Sequence, residues 1–168
     1  VYEGVIAYAE RYSALALHLA QSTKSVQRKE ELLRISEVCH RVPANPARNF
    51  YEAVQTVWFA HLISQIESNG HSMSFGRLDQ YLFPFYKKGL EDGTLTDSSA
   101  IELLACLWIK AFGVVKIRPW SHTRFSGGGP TYQNLTLGGV TPSGEDAVND
   151  LTMACLESVV LTRLPQPN

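Results

Sequence analysis

His71 and Ser72 stand side by side in the run Ile66-Glu67-Ser68-Asn69-Gly70-His71-Ser72 and are the residues of this chain best suited to handling a hydroxylated ligand. A neutral imidazole offers one donor and one acceptor and can move a proton near neutral pH, and a serine hydroxyl both gives and takes a hydrogen bond. The stretch from Ile66 to Tyr86 holds two glycines and five aromatic rings between apolar segments. It therefore reads as a buried polar loop facing a ligand, a pocket wall. The alternative is that His71 only satisfies the carbonyls of its own loop, as buried polar groups commonly do.

Other candidates carry less chemistry. Arg77 and Asp79, two apart, are read as an ion pair or as an Asp at a helix N-terminus, in either case holding shape. Gln133 and Asn134 belong to a polar strand face that could line a cavity or bond to neighbouring strands. Tyr132, just before them, could present a ring or hydroxyl to a ligand, although a core aromatic is the commoner case. His18, His40, His61 and His122 stand at no metal-ligand spacing, so no metal site is expected. The run Gly127-Gly128-Gly129 lacks the Lys-Ser/Thr of a phosphate loop.

These residues need elements to hold them. The spacing predicts helices over about 2–22, 25–40, 50–67, 98–112 and 150–163, and a strand over about 132–137 where Leu135 and Leu137 alternate with Asn134 and Thr136. Asn49 with Glu52 reads as a capping box, Thr96 or Asp97 as the next cap, and Asn149 as the last. The third helix, with its AVQTVWFAHLISQI body, is apolar on nearly every face, which suits the inside of a large protein.

The 168 residues are 45% hydrophobic and 18% charged with a net charge of -1. This is a globular balance with no electrostatic footprint for nucleic acid and no apolar run long enough for a membrane span. Cys39, Cys106 and Cys155 each fall in an apolar helical pattern and read as reduced core thiols of a soluble cytoplasmic protein. Val1 is no initiator methionine and the chain stops at Leu164-Pro165-Gln166-Pro167-Asn168, so an internal fragment, 1–168, of a larger domain is expected.

Several motifs in one order resemble the glycyl radical enzymes of the pyruvate formate-lyase type, in the branch of B12-independent glycerol and propanediol dehydratases. They are Val42-Pro43-x-x-Pro46 ahead of Phe50-Tyr51-Glu52-Ala53-Val54-Gln55, then Trp58-Phe59, Ile66 to Ser72, Ser74-Phe75-Gly76-Arg77-Leu78-Asp79-Gln80-Tyr81, Trp108-Ile109-Lys110 and Tyr132-Gln133-Asn134-Leu135-Thr136-Leu137-Gly138-Gly139. The resemblance covers essentially the whole chain. It implies an α/β fold class, here a helix-dominated piece of a ten-stranded α/β barrel. It also implies a lyase of anaerobic metabolism that cleaves a C–O or similar C–X bond in a small hydroxylated substrate.

In such a family a protein-borne glycyl radical, installed by an S-adenosylmethionine/iron–sulfur activating enzyme, generates a thiyl radical that abstracts hydrogen, with a glutamate as base. The resemblance places the Gly and the Cys-x-Glu beyond Asn168, so no catalytic radical residue is assigned here, and it calls for no metal or B12 in this chain. His71 and Ser72 match the His-Ser pair that bonds substrate hydroxyls, with a possible proton-transfer role for His71, and Tyr132 matches loosely an aromatic near the substrate. A homodimer is implied for the full-length enzyme. Cys155-Leu156-Glu157 has the Cys-x-Glu spacing but follows Ala154 within a predicted helix, where a thiol is packed rather than displayed. The alternatives are an arylacetate decarboxylase of the same radical type, or a non-catalytic helical scaffold or inactive paralogue. The isolated chain is expected to be inactive and to aggregate through its third helix.

Overall fold

Ala9, Ser13, Ala16 and Ala20 form the buried stripe of α1 (Tyr2–Ser22). Their small side chains let α2 (Val26–Arg41) pack along it, with the Ser13 hydroxyl donating to the Ser36 carbonyl at 2.8 Å. Tyr12, Leu15 and Leu19 also recur at helical spacing along α1, yet each is more than 40% exposed. Close helix approach selects the small residues and turns the large ones outward. Ser25 caps α2 by accepting from the Arg28 N–H.

The computed structural model describes residues 2–70, 72–115, 119–125 and 133–166. It divides into two units, Val1–Ala60 and His61–Asn168. The first is α1, α2, a turn containing a cis Val42–Pro43 bond, and most of α3 (Phe50–Glu67). Its core gathers Ala9, Val38, Cys39, Val42 and Phe59.

Asn49 does cap α3, accepting from the Glu52 N–H at 3.0 Å. The Glu52 carboxylate does not complete the box at Asn49; it reaches one residue further and accepts from the Arg48 backbone N–H at 2.7 Å.

The second unit contains the end of α3, α4 (Leu78–Tyr81), α5 (Phe83–Glu91), α6 (Asp97–Phe112), α7 (Trp120–Thr123) and α8 (Asp150–Thr162). The pair Gly89 and Gly93 would suit a turn between them, but α5 runs past Gly89 to Glu91. A Cβ at Gly89 would come within 2.8 Å of the Leu95 side chain, so the glycine serves close approach rather than the turn. Thr96 with Ser99 and Asn149 with Thr152 form reciprocal capping boxes on α6 and α8. These two helices pack on each other through buried Leu104, Trp108, Ala111, Leu151 and Cys155. The Trp108 indole N–H donates to the Ser158 hydroxyl at 2.6 Å. Arg163, in the left-handed conformation, ends α8 ahead of Pro165.

Two expectations are corrected. No strand forms over 133–137: Leu135 makes one isolated parallel bridge with Gly76 and nothing more. Residues 133, 135 and 137 still face inward while 134 and 136 are exposed. The alternation is real, but a strand is defined by ladder partners, and the described residues supply one short segment on one side. Cys106 is exposed, not a core thiol, whereas Cys39 and Cys155 are buried and all three are free. Among the described residues no helix is long and apolar enough to cross a membrane.

Candidate functional site

Ser68, Asn69 and Gly70 close α3 by donating to the carbonyls of Ser64, Ile66 and Gln65. Asn69 and Gly70 both have positive φ, 54° and 65°, a left-handed turn that Asn and Gly adopt most readily. This throws the chain off the helix axis into the segment 72–76. Ser72 is exposed and also has φ 56°, a conformation costly for a residue with a side chain and frequent at functional positions.

Beyond Ser72 the chain lies beside 133–136 in parallel. The Phe75 N–H donates to the Asn134 carbonyl and the Thr136 N–H to the Gly76 carbonyl, both at 3.0 Å. The Asn134 N–H reaches the Ser74 hydroxyl at 3.3 Å.

A buried polar network lies behind these two segments. His61 Nε2 is 2.6 Å from Gln133 Oε1, and Gln133 Nε2 donates to the Ala111 carbonyl at 2.9 Å. Only an amide nitrogen can donate to a carbonyl, so Gln133 turns its oxygen to His61, and His61 Nε2 carries the hydrogen. The Gln65 amide nitrogen lies 3.1 Å from the same Nε2, donor against donor, while Gln65 Oε1 has no partner. A half-turn of that amide gives His61 a second acceptor, at the cost of a 3.4 Å contact with the Met73 carbonyl. The His61 ring also stacks on Phe75, centroids 4.0 Å apart and planes 14° from parallel. Phe75 in turn meets the Trp108 edge. Burial holds the imidazole below its ordinary pKa, opposed in part by the bond to Gln133, which keeps His61 neutral.

Arg77 and Asp79 do hold shape, but not as a pair. Asp79 is wholly buried, and its Oδ2 accepts from the Gly138 N–H at 2.7 Å and the Thr152 hydroxyl at 2.6 Å. Arg77 donates to the Gly138 carbonyl at 2.6 Å and the Val140 carbonyl at 3.1 Å. The two side chains thus grip Gly138 from opposite ends of its backbone. Gly138 has φ 61°, and a Cβ there would come within 2.9 Å of Val148. Tyr81 donates to the Phe75 carbonyl at 3.0 Å. Its phenol, pushed up to about 12 by burial and by Cys155, stays protonated to do so.

Of the substrate-binding candidates, Ser72 is described and exposed, whereas His71 and Tyr132 lie outside the described residues. Gln133 and Asn134 do not share a face: Gln133 is buried on His61, and Asn134 is exposed. Cys155 is fully buried in α8, its thiol raised to about 12 by burial and by Asp79. That is a packed thiol, not a displayed one. His61 and Gln65 were passed over in the sequence. The signal was there, since two polar residues four apart on a largely apolar helix share one face. No group of three or more metal-ligating side chains gathers among the described residues.

The model of the pyruvate formate lyase-like family matches residues 1–168. The probable dehydratase YbiW of Escherichia coli (strain K12) is 46% identical over 165 residues, covering 96% of this chain and 20% of that protein. The isethionate sulfite-lyase of Oleidesulfovibrio alaskensis is 44% identical, covering 94% and 19%. Among solved structures, the glycerol-bound B12-independent glycerol dehydratase from Clostridium butyricum superposes with a TM-score of 0.93 at 44% identity, over 98% of this chain and 21% of that one. The chain thus spans about a fifth of the length of the relatives it matches.

Proposed function

Because this chain belongs to the pyruvate formate lyase-like family, we propose that it is the substrate wall of a glycyl radical lyase. The whole protein cleaves a C–O or similar C–X bond of a small hydroxylated substrate, as a dehydratase or a close chemical relative. The observation that carries this is the likeness to a glycerol dehydratase over nearly the whole chain. In this reading the parallel pairing of 74–76 with 134–136 belongs to a ten-stranded α/β barrel. The full-length enzyme is a homodimer, and it is cytoplasmic, a compartment with which the free thiols accord.

A protein-borne glycyl radical outside this chain, installed by an S-adenosylmethionine/iron–sulfur activating enzyme, supplies the hydrogen-atom abstraction. Neither Cys155, which is buried, nor Arg41-Val42-Pro43-Ala44, which lacks a glycine, fits that role. What the chain contributes is binding and a proton. Ser72 holds one substrate hydroxyl from its exposed position, and Tyr132 presents its ring or hydroxyl alongside. His71 holds the leaving oxygen and hands it a proton, so that it departs as water rather than hydroxide.

The test uses the complete protein, activated anaerobically, with glycerol and propane-1,2-diol as substrates. Diol consumption is expected, and His71→Ala is expected to lower turnover by roughly 10²-fold with the radical's spin signal intact. An activated enzyme that leaves every small hydroxylated compound untouched sinks the dehydratase reading. Carbon dioxide release from an arylacetate points to a decarboxylase instead. A remaining sequence with no radical glycine and no loop cysteine points to a scaffold.

A further inference from the structure

We infer that His61 is the positioning residue of this wall, its ring joining segment 73–76 to segment 133–136 by stacking on one and hydrogen-bonding to the other. The inference rests on the substrate-wall reading for its consequence but not for its geometry. Among the described residues the two segments are joined by two backbone–backbone bonds, Phe75 N–H to the Asn134 carbonyl and Thr136 N–H to the Gly76 carbonyl, and by the Asn134 N–H to the Ser74 hydroxyl, a short stretch for a self-supporting ladder. His61 adds a side-chain bond on each side. Its face lies on Phe75 at 4.0 Å, one residue after Ser74 and three after Ser72. Its N–H holds Gln133 at 2.6 Å, next in sequence to Tyr132.

Both attachments are anchored from behind. Gln133 is tied to α6 through Ala111 O, and Phe75 packs against Trp108 of the same helix. The imidazole is 6% exposed and meets Phe75, Gln133 and Gln65, so it is a positioning residue and not a catalytic one. No apolar side chain can do both jobs: phenylalanine keeps the stack and loses the N–H, while glutamine keeps an N–H and loses the stack.

The experiment is amide hydrogen exchange on the complete protein, first without substrate. In His61→Phe the amides of 73–76 and 133–136 are expected to exchange ~10-fold faster or more while those of α8 are unchanged, because a local opening is made easier without global unfolding. Unchanged exchange in those segments overturns the inference whatever the enzyme acts on. Should His61→Phe not accumulate as folded protein, Gln133→Met cuts the same bond from the other end, and unchanged protection there overturns it equally. His61→Gln is expected to restore part of the protection. In diol turnover His61→Phe is expected to raise KM more than it lowers kcat, with the radical's spin signal intact. Faster exchange in a protein whose wild type ignores diols keeps the positioning role and rejects the substrate class.

Discussion

Two buried polar clusters, one in each unit, hold their surroundings by opposite means. In Val1–Ala60 the anchor is a carboxylate. Glu52, 1% exposed, accepts from the Arg48 backbone N–H and from its guanidinium, with Arg41 Nε at 3.4 Å. Burial raises the Glu52 pKa, but the Arg48 bonds outweigh it and the net shift is downward. In His61–Asn168 the anchor is the uncharged His61-Gln65-Gln133 network, which leaves Gln65 Oε1 without a partner. The ionic knot stays between residues 37 and 52, around one turn. The neutral one spans residues 61 to 133. A charged cluster suits a fixed corner, since removing one partner strands the others. An uncharged cluster can join segments distant in sequence without adding a net charge between them.

The sharpest way to break this comparison is Glu52→Ala, which takes the carboxylate from Arg41 and leaves Arg48 with Glu37 alone. It is expected to cost about 3 kcal/mol in urea unfolding, the low end for a broken buried pair because Arg48 is half exposed. Hydrogen exchange in 72–76 should not change. A cost below about 1 kcal/mol would reduce the knot to an ordinary surface ion pair.

Ser72→Gly separates shape from chemistry in the second unit. Glycine accepts φ 56° without penalty, so thermal stability should hold or rise by up to about 1 kcal/mol. Turnover of the diol should still fall, because the hydroxyl is gone. Retained activity would assign Ser72 to the turn alone.

The smallest effects are the pH dependences, and they fall in different windows. The folded pKa of His61 is depressed, so the unfolded chain binds the extra proton first. Its stability contribution is complete above about pH 6.5 and is lost as pH falls below that. Glu52 is also depressed, so its contribution persists to about pH 4.3 and is lost below it. Unfolding midpoints of the complete protein should therefore step down first near pH 6. That step should vanish in His61→Phe and survive in Glu52→Ala.

Most helices were legible because their signals are local. Asn49, Thr96 and Asn149 announce their helices by side-chain oxygens that reach only three residues. The strand over 132–137 was misread for the complementary reason: alternation states which way side chains face, but pairing depends on what lies alongside. The site was half legible. The polar loop was expected to be buried, yet Glu67, Asn69 and Ser72 are exposed, and Arg77 and Asp79 look like partners in sequence but instead grip the backbone around Gly138, some sixty residues away. The apolar surface was also misplaced. On α3 only Ile66 is an exposed large hydrophobic, while α8 exposes Met153, Leu156, Val160 and Leu161.

By itself the sequence determined the helices, their caps, the family motifs and the presence of a polar loop between greasy segments, because each depends on neighbours within a turn or two. Tertiary structure alone decided that the small residues of α1 face inward and that Asp79 locks Gly138. It also decided that His61, set aside in the sequence as no metal ligand, joins Phe75 to Gln133. Those outcomes turn on which distant groups come within about 3–4 Å, the range at which hydrogen bonds and ring contacts act.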